Sequence, residues 1–174
     1  AEEIIATGKA DAVAMCRALI ADPYWPKKVR EGRLNEIHQC LRCTNCLAEM
    51  HPKDQFRCDV NPFTGHEVLF QDLKPKAAKA RTVWVAGGGP GGMTAAITAA
   101  ERGHTVTLFE AGEKLGGLLN YTDKDQKFKR DLHLFKEKLA ARVGELPIEV
   151  RLNTKLTPDM VKEGKPEALF IAIG

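Results

Sequence analysis

Cys40, Cys43, Cys46 and Cys58 follow one another at the spacing C-x2-C-x2-C-x11-C. Cysteines packed this closely in an intracellular chain favour metal or redox chemistry over disulfides. Three thiolates at intervals of three can turn inward around one compact object, while the fourth arrives from a distant loop. That arrangement suits a 4Fe–4S cubane, in which each iron takes one thiolate. Structural zinc is the competing reading, although zinc ribbons tend to show two separated C-x2-C knuckles. The fifth cysteine, Cys16, stands apart on an apolar stretch and is expected to be a small buried hydrophobe.

A second chemical signature is the run GGGPGG, in which Gly87, Gly89 and Gly92 form GxGxxG. In such a turn Gly87 permits the tight bend and Gly89 lets the backbone approach a pyrophosphate. Gly92 lets helix and strand pack closely, and the helix N-terminus offers amide hydrogens and positive dipole to phosphates. Glu110 ends the next expected strand, where a carboxylate can accept hydrogen bonds from both hydroxyls of an adenosine ribose. Gly116 and Gly117 offer a second close backbone approach or an ordinary loop. FAD, NAD and ADP share the half that these residues would recognise, so the ligand stays open among them.

The elements that must position these groups show in the periodicity. Residues 82–86 read as a buried strand before the glycine turn. Pro90 opens a helix with Met93, Ala96, Ile97 and Ala100 on one face, stopped by Gly103. Residues 105–109 are the next strand. Phe128, Leu132, Phe135, Leu139 and Val143 write a second helix with Gly144 as its cap. Ile148, Val150 and Leu152 alternate as a half-exposed strand, and residues 168–173 read as a buried one. Strands alternating with helices predict an α/β fold with a doubly wound parallel sheet. Upstream, residues 1–36 have βα character: a strand at 12–15, then a helix over 23–31 capped by Asp22 and ended by Gly32. Residues 37–66 suit a loop held by a metal, and residues 67–80 a linker before the dinucleotide-binding domain at 81–174.

Composition narrows the class. Hydrophobic residues make up 44% and charged residues 28% of the 174 residues, as in globular domains. No apolar run approaches the roughly 20 residues of a membrane span. A net charge of +3, with scattered basic residues, gives no argument for nucleic acid. The acidic opening AEEIIATGKADAV lacks a signal peptide's basic start, so a cytoplasmic address is expected. None of the five histidines has a paired carboxylate at a telling spacing.

Cysteine site and glycine turn in this order resemble the junction of the 2,4-dienoyl-CoA reductase, 2-enoate reductase and trimethylamine dehydrogenase family. These are iron–sulfur flavoenzymes built on an old-yellow-enzyme barrel. ADAVAMCRALIADPYWPKKVREGR resembles the last strand and helix of that FMN-binding TIM barrel, and QCLRCTNC with RCDVNP resembles the cluster loop. VWVAGGGPGGMTAAITAAERGHTVTLFEAGEKLGGLL resembles the start of the family's nucleotide domain, and LFIAIG a strand before its NAD(P)H-binding insertion.

The resemblance implies a 4Fe–4S cluster on the four cysteines. It implies FAD, or ADP, on Gly87, Gly89, Gly92, Glu110 and Gly117, and an FMN-phosphate contact from Arg17. The position before that arginine is usually glycine in the family and is Cys16 here. It also implies NAD(P)H as donor, an activated carbon–carbon double bond as acceptor, and partners in the rest of the polypeptide, with a homo-oligomer left open. The chain is expected to be a piece of such an enzyme, inactive alone. The Cys43–Cys46 spacing matches the trimethylamine dehydrogenase branch, so an amine dehydrogenase with a structural ADP is the second reading. A non-catalytic, zinc-stapled nucleotide-binding module is the third.

Overall fold

The computed structural model describes residues 1–48, 56–69, 75–122 and 126–174. The chain divides into two compact units, Ala1–Leu69 and Phe70–Gly174.

The first unit is built from short helices: α1 (Glu2–Ala6), α2 (Arg17–Ala21), α3 (Trp25–Arg30), a 3-10 turn (Leu34–Glu36) and α4 (Asn45–Ala48). Residues 12–15 do not form the expected strand, since a parallel ladder needs a neighbour that this unit does not supply. Cys16 is likewise not buried. It is exposed at the start of α2, where a helix N-terminus replaces the expected strand.

Asp22, expected to cap a helix from residue 23, instead stands one turn ahead of α3. Its Oδ1 accepts from the Tyr24 amide at 3.1 Å, and the helix begins only at Trp25. The same carboxylate is 2% exposed and ties the unit together. Oδ2 accepts from Lys28 Nζ at 2.6 Å and from the His38 amide at 3.0 Å, and Lys28 Nζ also donates to the Glu36 carbonyl. Gly32, at φ 72, ends α3 as expected. Near the end of α2 the carbonyl of Ile20 accepts from Asn61 Nδ2 and Thr64 Oγ1, both buried side chains. A helix end leaves such carbonyls without internal partners, so this pair fastens the 56–69 segment to α2.

The second unit is a four-stranded parallel sheet in the order β3-β2-β1-β4. Its elements are β1 (Thr82–Ala86), α5 (Pro90–Glu101), β2 (Thr105–Phe109), α6 (Leu119–Thr122), α7 (Gln126–Glu145), β3 (Ile148–Arg151), α8 (Pro158–Gly164) and β4 (Ala168–Ile171). Val83 and Val85 pair in register with Val106 and Leu108, putting one β-branched or leucine face against α5 and α7. Met93, Ala96, Ile97 and Ala100 fill that interface with Val143 of α7. On the other face the Trp84 and Phe109 rings pack at a tilt of 56° with centroids 4.9 Å apart. Gly164 of α8 lies directly on the Trp84 indole, where a methyl group would come within 2.6 Å of Cζ2.

Two expectations change. Gly144 lies inside α7 with an ordinary φ rather than capping it. Pro147 ends the helix instead, because the residue before a proline is driven out of the helical region. The strand expected at 168–173 is shorter and not buried: Phe170 is 49% and Ile171 71% exposed, as edge residues paired only with β1.

Gly92→Ala should lower unfolding free energy by about 3 kcal/mol, since its methyl would strike the Gly87 carbonyl. Gly91→Ala meets nothing within 4 Å and should gain about 0.5 kcal/mol. Urea unfolding reads both, and equal effects would contradict the packing described. Asp22→Ala leaves the part-buried Lys28 ammonium with only the Glu36 carbonyl and two amides without their acceptor, and should cost about 3 kcal/mol in the same unfolding measurement.

Candidate functional site

All four predicted cysteines line one shallow concavity in the first unit, with Arg17, Ile20, Leu41, Thr44, Asp59 and Val60. The local backbone brings them there at a conformational cost. Arg42 and Thr44 flank Cys43 in the left-handed region, at φ 56 and φ 61. Each such non-glycine residue costs roughly 1–2 kcal/mol, and strain of this kind gathers at functional sites. The bend points backbone donors at sulfur, for the Arg42 amide donates to Cys40 Sγ at 3.4 Å.

One turn on, α4 begins, and its Cys46 is buried. Burial, first, and the neighbouring Asp59 carboxylate push the Cys43 thiol up, against the Asn45 amide, which lowers it. Among the described residues no three Cys, His, Asp or Glu groups converge to hold a single metal ion. Four cysteine side chains lining one concavity supply the donor set of either a tetrahedral zinc or a cubane whose irons take one thiolate each.

In the second unit the glycine turn sits at the C-terminal end of β1. There the strand order reverses between β2 and β4, and such switch points open a ligand crevice in parallel sheets. The glycines have different reasons. Gly87, at φ 105, presses against the Ala172 carbonyl, and Gly92 against the Gly87 carbonyl, so the fold itself forbids side chains at both. Gly89 has an ordinary φ of −71, and an added methyl would meet only the Gly117 Cα, at 3.8 Å. Nothing in the packing requires glycine there, and the clear space is what a diphosphate lying on the helix N-terminus would fill.

Gly116 and Gly117 form a second wall. The Gly116 amide donates to the Gly88 carbonyl at 2.8 Å, and a methyl on Gly117 would approach the Gly89 Cα to 2.9 Å. The Glu110 carboxylate accepts from the Gly88 and Gly112 amides, both at 2.7 Å. Two of its lone-pair positions are thereby used and two remain for a ribose.

Arg17, the predicted phosphate contact, opens α2 and shares the concavity of the cysteines. Sequence reasoning passed over Asn45 and Asp59, which bridge the cysteine segments at 2.7 Å. It also passed over Asn120, whose buried Oδ1 has no hydrogen-bond partner among the described residues while its Nδ2 donates to the Leu115 carbonyl. The only sequence signal for the first pair was adjacency to the cysteines.

Residues 82–143 match the family described as FAD dependent oxidoreductase. The chain is 41% identical over its whole length to an NADH oxidase of Thermoanaerobacter brockii, of which it covers 27%. It is 32% identical, again over its whole length, to an N,N-dimethylglycine/sarcosine dehydrogenase of Chromohalobacter salexigens, covering 25% of it. A solved 2-naphthoyl-CoA reductase complex superposes with TM-score 0.91 at 37% identity, covering 99% of this chain and 26% of the other. The chain thus spans about a quarter of the length of the relatives it matches. These likenesses to flavin-dependent reductases, oxidases and amine dehydrogenases fit the 2,4-dienoyl-CoA reductase, 2-enoate reductase and trimethylamine dehydrogenase family of flavin oxidoreductases.

Proposed function

We propose that this chain is the electron-transfer junction of an NAD(P)H-dependent reductase acting on an activated carbon–carbon double bond. The observation that carries the reading is the convergence of Cys40, Cys43, Cys46 and Cys58 on one concavity. These four would hold a 4Fe–4S cluster, which when bound exchanges single electrons and so links a two-electron nicotinamide donor to separated FAD and FMN groups.

The chain's own residues bind and orient. Gly87 and Gly92 shape the turn, Gly89 leaves room for the diphosphate of FAD, and Gly117 closes over it. Glu110 would present its remaining lone pairs to the adenosine ribose. Arg17 would contact the FMN phosphate from α2. Residues 1–36 would then belong to the FMN-binding barrel, 37–66 to the cluster loop, and 81–174 to the flavin domain, with 67–80 as linker. Working partners are the barrel and NAD(P)H domain of a longer polypeptide, a small-molecule substrate and, as a further option, copies of the same chain. The proposed address is the cytoplasm, and among the described residues no helix is long and apolar enough to cross a membrane.

The C-x2-C spacing and the likeness to an N,N-dimethylglycine/sarcosine dehydrogenase favour a second reading, an amine dehydrogenase with ADP as a structural nucleotide. Denaturing the purified holoprotein and identifying the released nucleotide separates the two. FAD is expected, whereas ADP would overturn the reductase reading. Gly89→Val should weaken nucleotide retention at least tenfold, about 1.4 kcal/mol. The nucleotide-free protein should lose only about 1 kcal/mol, the cost of valine for glycine at a helix N-cap, since the added Cβ meets only the Gly117 Cα at 3.8 Å.

A further inference from the structure

Asn45 and Asp59 clasp the two halves of the cysteine site. Asn45 lies between Cys43 and Cys46, and Asp59 follows Cys58, so the Nδ2–Oδ1 hydrogen bond of 2.7 Å joins the C-x2-C-x2-C run to the fourth ligand. The Asp59 side chain lines the same concavity as the four sulfurs. Its carboxylate accepts from the neutral Asn45 amide and also meets the Cys43 side chain, which places its charge directly beside a sulfur of the site.

We propose that Asp59 lowers the reduction potential of the cluster held by Cys40, Cys43, Cys46 and Cys58, with Asn45 fixing the carboxylate beside the sulfurs. This rests on the reading of those cysteines as cluster ligands. Reduction adds one electron, supplied by a reduced flavin, to a cluster already surrounded by four thiolates. No bond to Asp59 forms or breaks, and no proton is transferred to it. The added electron increases the negative charge beside a fixed negative group, and Coulomb repulsion makes the reduced form less favourable. Asp59 is exposed, so solvent and salt screen the effect to a modest size. Asp59 is thus a positioning residue for charge, acting through the cluster.

Asp59→Asn separates charge from clasp, because the new amide oxygen still accepts from Asn45. In the holoprotein reconstituted anaerobically with iron and sulfide, iron content should equal that of the unaltered protein. At fixed ambient potential the reduced-to-oxidised ratio should rise up to tenfold, an upward midpoint shift of up to about 59 mV for one electron. An EPR-monitored redox titration reads that shift, which should shrink at high salt.

Asn45→Ala keeps the charge and removes the clasp, and it should lose iron to a chelator faster than the unaltered protein. A D59N protein with full iron and an unchanged midpoint would overturn the proposal. So would a D59N protein that fails to retain iron, since Asp59 would then be holding the site rather than tuning it. Absence of iron from the unaltered protein would overturn the cluster reading itself, a result distinct from either.

Discussion

Helix α5 can lie against β1 only because no side chain stands at Gly87 or Gly92. A methyl at either position would be driven into a backbone carbonyl, of Ala172 in one case and of Gly87 in the other. That close approach brings β4 beside β1 and sets the point where the strand order reverses. It also leaves the helix N-terminus facing open space above Gly89, with Gly116 and Gly117 held over it through the Gly88 carbonyl. Here the requirements of packing and of anion binding coincide, since backbone brought near backbone leaves amides available and side chains absent.

The first unit is organised on the opposite principle. Among its described residues the buried apolar ones are Ala21, Ile37, Cys46 and Val60, and buried polar groups add to the fastening. One buried carboxylate, Asp22, gathers an ammonium and two amides, while Asn61 and Thr64 satisfy one carbonyl of α2. Under the proposed reading, metal ligation would supply to this unit what it lacks in hydrophobic core. The left-handed backbone at Arg42 and Thr44 is the local cost of turning the cysteines toward one another.

Much of the second unit was legible in the sequence. The strands at residues 82–86 and 105–109 and the helix from Pro90 appear where alternation, proline and glycine announced them. These signals are local, and local rules governed the outcome. The misreadings were tertiary. Residues 12–15 have strand chemistry but no neighbour to pair with, and residues 168–171 form a strand whose side chains stay uncovered. Gly144 looked like a cap, yet Pro147 ended the helix through its restriction on the preceding residue. At the candidate sites the grouping of the four cysteines was readable from spacing, whereas the placement of Asn45, Asp59 and Asn120 was not. Their placement depends on contacts across loops, for which no periodicity exists.

We propose the four cysteines of the first unit as a multi-iron site. The most direct test is iron and acid-labile sulfide analysis with an absorbance spectrum on anaerobically prepared holoprotein. About four irons and four sulfides per chain, with broad brown absorbance, is the predicted result. One zinc per chain and no sulfide would contradict it.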